Sequence, residues 1–216
     1  MAAVQLSEIS TLFAKHQVAK KVLDRISIWN GDITRIAVDA IVNAANSRLA
    51  GGGGVDGAIH KAAGLKDLLA ETRQFNGCAV GDAVITSGCN ISHIKHIIHT
   101  VGPQIFISVN QEKREDLRNC YRKSIELALE NDLTTLAFCC ISTGIYGYPN
   151  ADAAATVTKL LTELLENDDK IERIVLVTFL PIDNEEYEKY FAKYAESKRQ
   201  ELLKAPNQPE EPAGTQ

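Results

Sequence analysis

Four consecutive glycines, Gly51 to Gly54, run into Val55-Asp56-Gly57. Backbone without side chains lets a ligand approach closely, and the amides that open a following helix can point at an anion, so the tract suits a phosphate. It lacks the Lys-Ser/Thr pair of a Walker A loop and the glycine spacing of the dinucleotide fingerprint. A flexible linker is the plain alternative, although linkers rarely lead straight into a helix start. A second stretch, Ser142-Thr143-Gly144-Ile145-Tyr146-Gly147-Tyr148-Pro149, follows an apolar run and offers small residues and free amides of the same kind. Two such loops fit a pyrophosphate between them. Tyr146 in this stretch reads as a ligand contact and Tyr148 as a core residue.

Asn43, Asn46 and Asp56 form the polar set around the first loop. A carboxylate beside a phosphate site repels its own ligand, so its presence calls for a reason. It can bond ribose hydroxyls, take a proton from water as a general base, or simply favour the helix macrodipole at an N-terminus. Asn43 and Asn46 can equally be turn formers. Asn30-Gly31-Asp32-Ile33-Thr34 reads as a tight turn in which Asp32 is the Asx residue. His93, His96 and His99 invite a metal reading, but on one strand His96 and His99 point to opposite faces, so no metal site is expected. Cys139 and Cys140 alternate in the same way and read as small buried hydrophobes.

Strands and helices must hold these residues in place. Strand-like runs are Arg25 to Trp29, Ala40 to Asn43, Ala83 to Ser87, His96 to Val101, Thr135 to Ile141 and Arg173 to Phe179. Helical spacing covers Val55 to Ala63, Leu65 to Asn76, Glu115 to Asn131, the stretch through Ala154 to Leu164, and the chain from Asn184 onward. Strands separated by helix-length segments argue an α/β fold with a largely parallel sheet covered on both faces. Ligands of such sheets sit beyond the carboxyl ends of the strands, where both glycine loops fall. Residues 1–24 read as a helical extension, 25–204 as the folded domain, and the proline-rich stretch 205–216 as a disordered tail.

The 216 residues allow one substantial domain, and 45% hydrophobic against 24% charged residues is the balance of a soluble globular chain. A net charge of −5 lacks the broad positive field that bulk nucleic acid requires. Five cysteines, an odd number without a CxxC pair, fit a reducing compartment better than a disulfide framework. The absence of a signal-peptide pattern and of any apolar run longer than Leu136 to Ile141 leads us to expect an intracellular protein, cytoplasmic or nuclear, with no membrane partner.

Gly31-Asp32-Ile33-Thr34, Val42-Asn43-Ala44-Ala45-Asn46, Gly51 to His60, His99-Thr100-Val101-Gly102-Pro103 and Ile141 to Pro149 together resemble the macrodomain family, and within it the MacroD-type hydrolases. The resemblance runs from about Ile26 to the Tyr187 region, leaving the N-terminal segment and the tail without a family motif. It implies a three-layer α/β/α sandwich around a central mixed sheet, binding ADP-ribose. Asp32 would take the adenine amine, with the Ile33 backbone beside it and Phe179 against the ring. Gly53, Gly54 and Val55 would hold the pyrophosphate together with Ser142, Thr143, Gly144, Ile145 and Tyr146. Asn46, Asp56 and Tyr146 would surround the distal ribose.

Asp56 and Asn46 match the pair associated with hydrolysis. The expected activity is therefore removal of mono-ADP-ribose from acidic side chains of proteins and deacetylation of O-acetyl-ADP-ribose, both esters of the distal ribose. No cofactor or metal enters that scheme, unlike zinc-dependent members of the wider superfamily. A non-catalytic reader of ADP-ribosylated proteins is the rival, and a processor of ADP-ribose 1″-phosphate would use the same pocket.

Overall fold

The longest strand lies at the centre of the sheet. It is β3, Ile36–Ala44, in which Ile36, Val38, Ala40, Ile41 and Val42 are all buried, the pattern of a strand covered on both faces. The computed structural model describes residues 2–204, and the expected tail, 205–216, lies outside them. Around β3 stand β1 (Val4–Gln5), β2 (Ile26–Asn30), β4 (Ala83–Ser87), β5 (Ile94–Thr100), β6 (Thr135–Cys139) and β7 (Arg173–Thr178). The sheet runs β2-β7-β6-β3-β5-β4, with β1 paired to the start of β3. Among the described strands only β4 is antiparallel, against β5, so the sheet is mixed. The helices are α1 (Leu12–His16), α2 (Lys20–Leu23), α3 (Gly54–Ala63), α4 (Leu65–Thr72), α5 (Gln111–Glu130), α6 (Asn150–Asn167) and α7 (Pro181–Lys204).

Register assigns the helices to two layers. Asn43 of β3 pairs with His99 of β5, and its neighbour Val42 pairs with Phe138 of β6. Successive strand residues point to opposite faces, so Asn43 and His99 share one face while Val42 and Phe138 share the other. The first turn of α3 meets the former through the Asn43–Asp56 hydrogen bond. Tyr121 of α5 covers the latter, its ring stacked on Phe138 at 4.7 Å, and Tyr187 of α7 meets the Tyr121 hydroxyl at 3.2 Å. α6 packs against both α5 and α7. The result is a three-layer α/β/α sandwich. Because β2, β7, β6, β3 and β5 run parallel, the loops after them emerge at one end of the sheet.

Residues 2–24, expected to be helical, hold β1 and a short 3₁₀ turn, Leu6–Glu8, before α1 and α2. Their Ile9, Leu12, Val22 and Leu23 are buried in the same core as the sheet. Helices of four or five residues are not stable alone, so this segment owes its order to that burial. Three helix ends also differ from the periodicity, α7 starting at Pro181 rather than Asn184. α4 stops at Thr72 rather than Asn76, and α5 begins at Gln111 rather than near Glu115, because the Asn110 side chain accepts from the Lys113 amide at 2.9 Å and caps it there.

Candidate functional site

The first glycine loop connects β3 to α3. Asn46 fastens it: its Oδ1 accepts from the amides of Arg48 at 3.1 Å and Ala50 at 3.4 Å, and its Nδ2 donates to the Gly51 carbonyl at 2.9 Å. The turn-forming role foreseen for this residue is therefore real. Gly57 has to be glycine, since a Cβ there would stand 2.5 Å from the Gly52 carbonyl oxygen. A Cβ at Gly53 or Gly54 would meet nothing within 4 Å, so this backbone faces open space. Amides in the first turn of a helix have no intrahelical partner, and those of Gly54, Val55 and Asp56 open α3. They form an anion-receptive end, strengthened by the macrodipole.

Asp56 lies in that turn, 5% exposed. Its Oδ1 accepts from Asn43 Nδ2 at 2.7 Å and stands 3.0 Å from His60 Nδ1, one helical turn later. The same imidazole nitrogen is 2.9 Å from the Asp56 carbonyl. The hydrogen bond to Asp56 raises the His60 pKa above its ordinary value, against the opposing effect of burial. Oδ2 is turned to the loop: a Cβ on Gly52 would sit 3.1 Å from it and 3.8 Å from Asn46 Nδ2. Asn46 and Asp56 are thus brought together around Gly52, with one carboxylate oxygen held by protein donors and the other directed at the loop. A cleft of about 370 Å³ lies on the α3 side of this loop, lined by Gly51, Gly52, Gly57, His60, Lys61 and Leu65 among others, and no residue of the second glycine loop lines it.

The second glycine loop follows β6. Ser142, which begins it, has φ of 67°, a left-handed backbone unusual outside glycine and strained in a way common at binding sites. Gly102, after β5, packs so closely that a Cβ there would fall 2.0 Å from Ser142 Oγ. The loop closes through Tyr148 N to Ser142 O at 2.9 Å and Gly147 N to Gly144 O at 3.0 Å, while Gly144 faces open space. Ile145 is 88% exposed, Tyr146 is half-buried, and Tyr148 is buried as expected.

At the far end, Asp32 is exposed and caps the 3₁₀ turn Ile33–Arg35, its Oδ1 accepting from Thr34 N at 3.0 Å and Thr34 Oγ1 at 2.7 Å. Ile33 is buried beneath it. Asn30 Nδ2 donates to the carbonyls of Thr178 and Phe179, which brings the Phe179 ring, 84% exposed, to the same end as Asp32. Sheet order spaces the candidate residues along the loop end of the sheet: Asp32 and Phe179 follow β2 and β7, the second loop follows β6, and the Asn46–Asp56 pair follows β3.

The Macro domain family model matches residues 42–157, more than half of the chain and both glycine loops. The chain belongs to the macrodomain family. ADP-ribose glycohydrolase MACROD2 of Homo sapiens is 49% identical over 174 residues, covering 80% of this chain and 40% of that protein. This macrodomain thus spans only about two fifths of the length of the first curated relatives it matches, the Xenopus laevis MACROD2 being covered to 41%. A macro domain-containing protein of Mesorhizobium japonicum is 49% identical over 159 residues, covering 74% of this chain and 89% of that one. Among solved structures, the Trypanosoma brucei macrodomain in complex with ADP-ribose superposes with a TM-score of 0.78 at 35% identity, over 88% of this chain and 77% of that one.

Several groups of this macrodomain that could do chemistry stand apart from the cleft. His93 Nε2 lies 2.9 Å from the Thr34 carbonyl and His96 Nδ1 3.1 Å from that of Thr86, whereas His99, the third ring of the trio, lies against Asn43 and Thr86. Burial pushes the Cys139 thiol up to about 12 and raises that of Cys140, the reverse of an activated nucleophile. Sequence reasoning missed two residues that serve the site. His60 was readable, because Asp56 and His60 are four apart on a helix and must meet. Asp183, buried in the first turn of α7, accepts from Thr143 Oγ1 at 3.1 Å and Asn150 Nδ2 at 2.7 Å and so anchors the second loop from 40 residues away.

Proposed function

We propose that this macrodomain binds ADP-ribose and hydrolyses the ester that joins its distal ribose to an acyl group, releasing mono-ADP-ribose from acidic side chains of proteins and acetate from O-acetyl-ADP-ribose. The observation that carries the reading is the Asp56 carboxylate, buried, held through Oδ1 by Asn43 and His60, with Oδ2 turned to the loop beside Asn46. In this scheme Asp32 accepts from the adenine amine and Phe179 lies against the ring. The amides of Gly53, Gly54 and Val55 face those of Ser142, Thr143, Gly144, Ile145 and Tyr146 across the pyrophosphate. Asn46 and Tyr146 position the distal ribose, and Oδ2 of Asp56 orients or deprotonates the attacking water. Water adds across the ester, and a carboxylate and a free ribose hydroxyl leave.

The arrangement suits a general base. A carboxylate whose Oδ1 is occupied by two donors has a fixed orientation before substrate arrives, and such preorganisation is where much catalytic power resides. A module that only needed to hold ADP-ribose would gain nothing from a negative charge at the mouth of a phosphate site. The free thiols suit a reducing compartment, so we place the reaction in the cytoplasm or nucleus. No helix of the described residues is long and apolar enough to cross a membrane.

The test is incubation with a protein labelled by mono-ADP-ribose on glutamate, followed by measurement of released label, with calorimetry of ADP-ribose binding alongside. Binding with release supports the hydrolase. Binding without release from wild-type protein leaves the reader of ADP-ribosylated proteins.

A further inference from the structure

Behind Asp56 the hydrogen bonds continue away from the cleft. Asn43 Nδ2, which donates to Asp56 Oδ1, also stands 3.1 Å from His99 Nδ1, and His99 Nε2 stands 3.0 Å from Thr86 Oγ1. Thr86 Oγ1 in turn lies 3.3 Å from the Ile97 carbonyl and 3.2 Å from that of Ser87, both of which can only accept. Asn43 and His99 are wholly buried and Thr86 is 4% exposed. The chain therefore crosses three neighbouring strands, β4, β5 and β3, and ends on the carboxylate of α3.

Only one assignment of hydrogens satisfies every link. Thr86 must donate to a carbonyl, so its oxygen accepts from His99 Nε2–H; His99 is then unprotonated at Nδ1 and accepts from Asn43; the second amide hydrogen of Asn43 goes to Asp56. His99 must be neutral for this, and burial together with the neighbouring His60 lowers its pKa to about 4, against the opposing charges of Asp56 and Glu71. Reversing the Asn43 amide would set a carbonyl oxygen against the carboxylate at 2.7 Å and require a proton on His99 Nδ1. Asn43 Oδ1 accepts from no group among the described residues although it is buried. An asparagine placed only to fill the core would be expected to satisfy its carbonyl; here donation to Asp56 is kept at the expense of that oxygen.

We infer that Thr86 and His99 are positioning residues for Asp56, fixing the Asn43 amide in its donor orientation through the tautomer of one buried imidazole. The inference rests on the hydrolase reading, because it assigns the relay a purpose in turnover. Removing the Thr86 hydroxyl leaves His99 Nε2–H without an acceptor and makes the opposite tautomer competitive, which turns Asn43 from donor to acceptor beside the carboxylate.

Thr86→Val preserves shape and tests this directly. We expect kcat for label release to fall by about tenfold, the effect of one hydrogen bond on a barrier, with KM and ADP-ribose affinity held within about twofold. Thr86→Ser, which restores the hydroxyl, should recover most of the rate, whereas a purely packing role would make Ser the worse substitute. Nitrogen-15 NMR of the imidazoles should find His99 protonated at Nε2 in the wild-type protein and shifted toward Nδ1 in Thr86→Val. A proton on Nδ1 in the wild type, or Thr86→Val turning over at the wild-type rate, overturns the inference. If Thr86→Val fails to fold, the wild-type spectrum and the Thr86→Ser rate decide it. Wild-type protein without hydrolase activity would sink the functional reading alone, since the spectrum reads the tautomer without turnover.

Discussion

Two carboxylates mark the two ends of the candidate site, and they are held in different ways. Asp32 is exposed, and its partners, the amide and hydroxyl of Thr34, lie two residues away. Asp56 is buried, and its Oδ1 is gripped by Asn43, 13 residues earlier, and by His60 one turn later, with His99 and Thr86 behind. The proposed adenine end is thus a local turn that needs only to present an acceptor, and solvent keeps its interactions weak. The proposed ribose end is a tertiary construction, where low local dielectric strengthens each bond and makes each misplaced one expensive. Binding can be encoded in a short stretch of chain; the proposed reaction centre takes three strands and a helix to assemble.

That contrast breaks most readily at Asp56. Asp56→Ala is expected to slow label release by roughly a hundred- to ten-thousand-fold, the range for a general acid–base group, while ADP-ribose affinity measured by calorimetry is retained, because removing the charge also relieves repulsion of the phosphates. Parallel loss of affinity and rate would make the ribose end a binding site like the other. Asp32→Ala should do the converse: affinity should drop by roughly 1.5–3 kcal/mol, the range for a hydrogen bond to a charged group, with turnover at saturating substrate unchanged. Unaltered affinity would return Asp32 to its capping role.

A smaller effect separates the ends by pH. Unfolded histidine titrates near 6.5, and folded His99 resists protonation until about 4, so between these values the unfolded chain binds more protons and stability falls as pH drops from 6.5. His60 acts oppositely: its raised pKa gives a contribution that is complete below pH 6.5 and fades as pH rises through the folded value. Thermal melts of wild type and His60→Gln across this range should converge on the alkaline side and separate on the acid side. Parallel curves would deny the Asp56–His60 pair its energetic role.

Much of this was legible in the sequence because it is local. The alternation of apolar runs with helical spacing located β4 to the residue, and the glycine loops announced their placement after strands. Asp32 was correctly read as a turn former from five consecutive residues. What escaped reading has no local signature. The two-residue strand Val4–Gln5 exists only because Ile36–Ala37 lies beside it. Thr86 looks like an ordinary strand residue, and His99, weighed as a metal ligand, shows no link to Asn43 until β4 and β5 pair and bring the three together. Asp183 falls just before the helix expected from Asn184 onward, and only the earlier start of α7 at Pro181 carries it to Thr143.

The grip of Asp183 has a consequence for motion. α7 is the last element of the described chain, and its first turn holds the second glycine loop through Thr143 and Asn150. Opening of that turn would release the loop, so the fraction of molecules able to hold a ligand is tied to local unfolding of a helix that does not itself form the floor of the cleft. Linkage runs both ways. A ligand seated on the loop should slow hydrogen exchange of the amides that follow Asp183, and a change that loosens α7 should weaken binding while every residue in contact with the ligand stays the same.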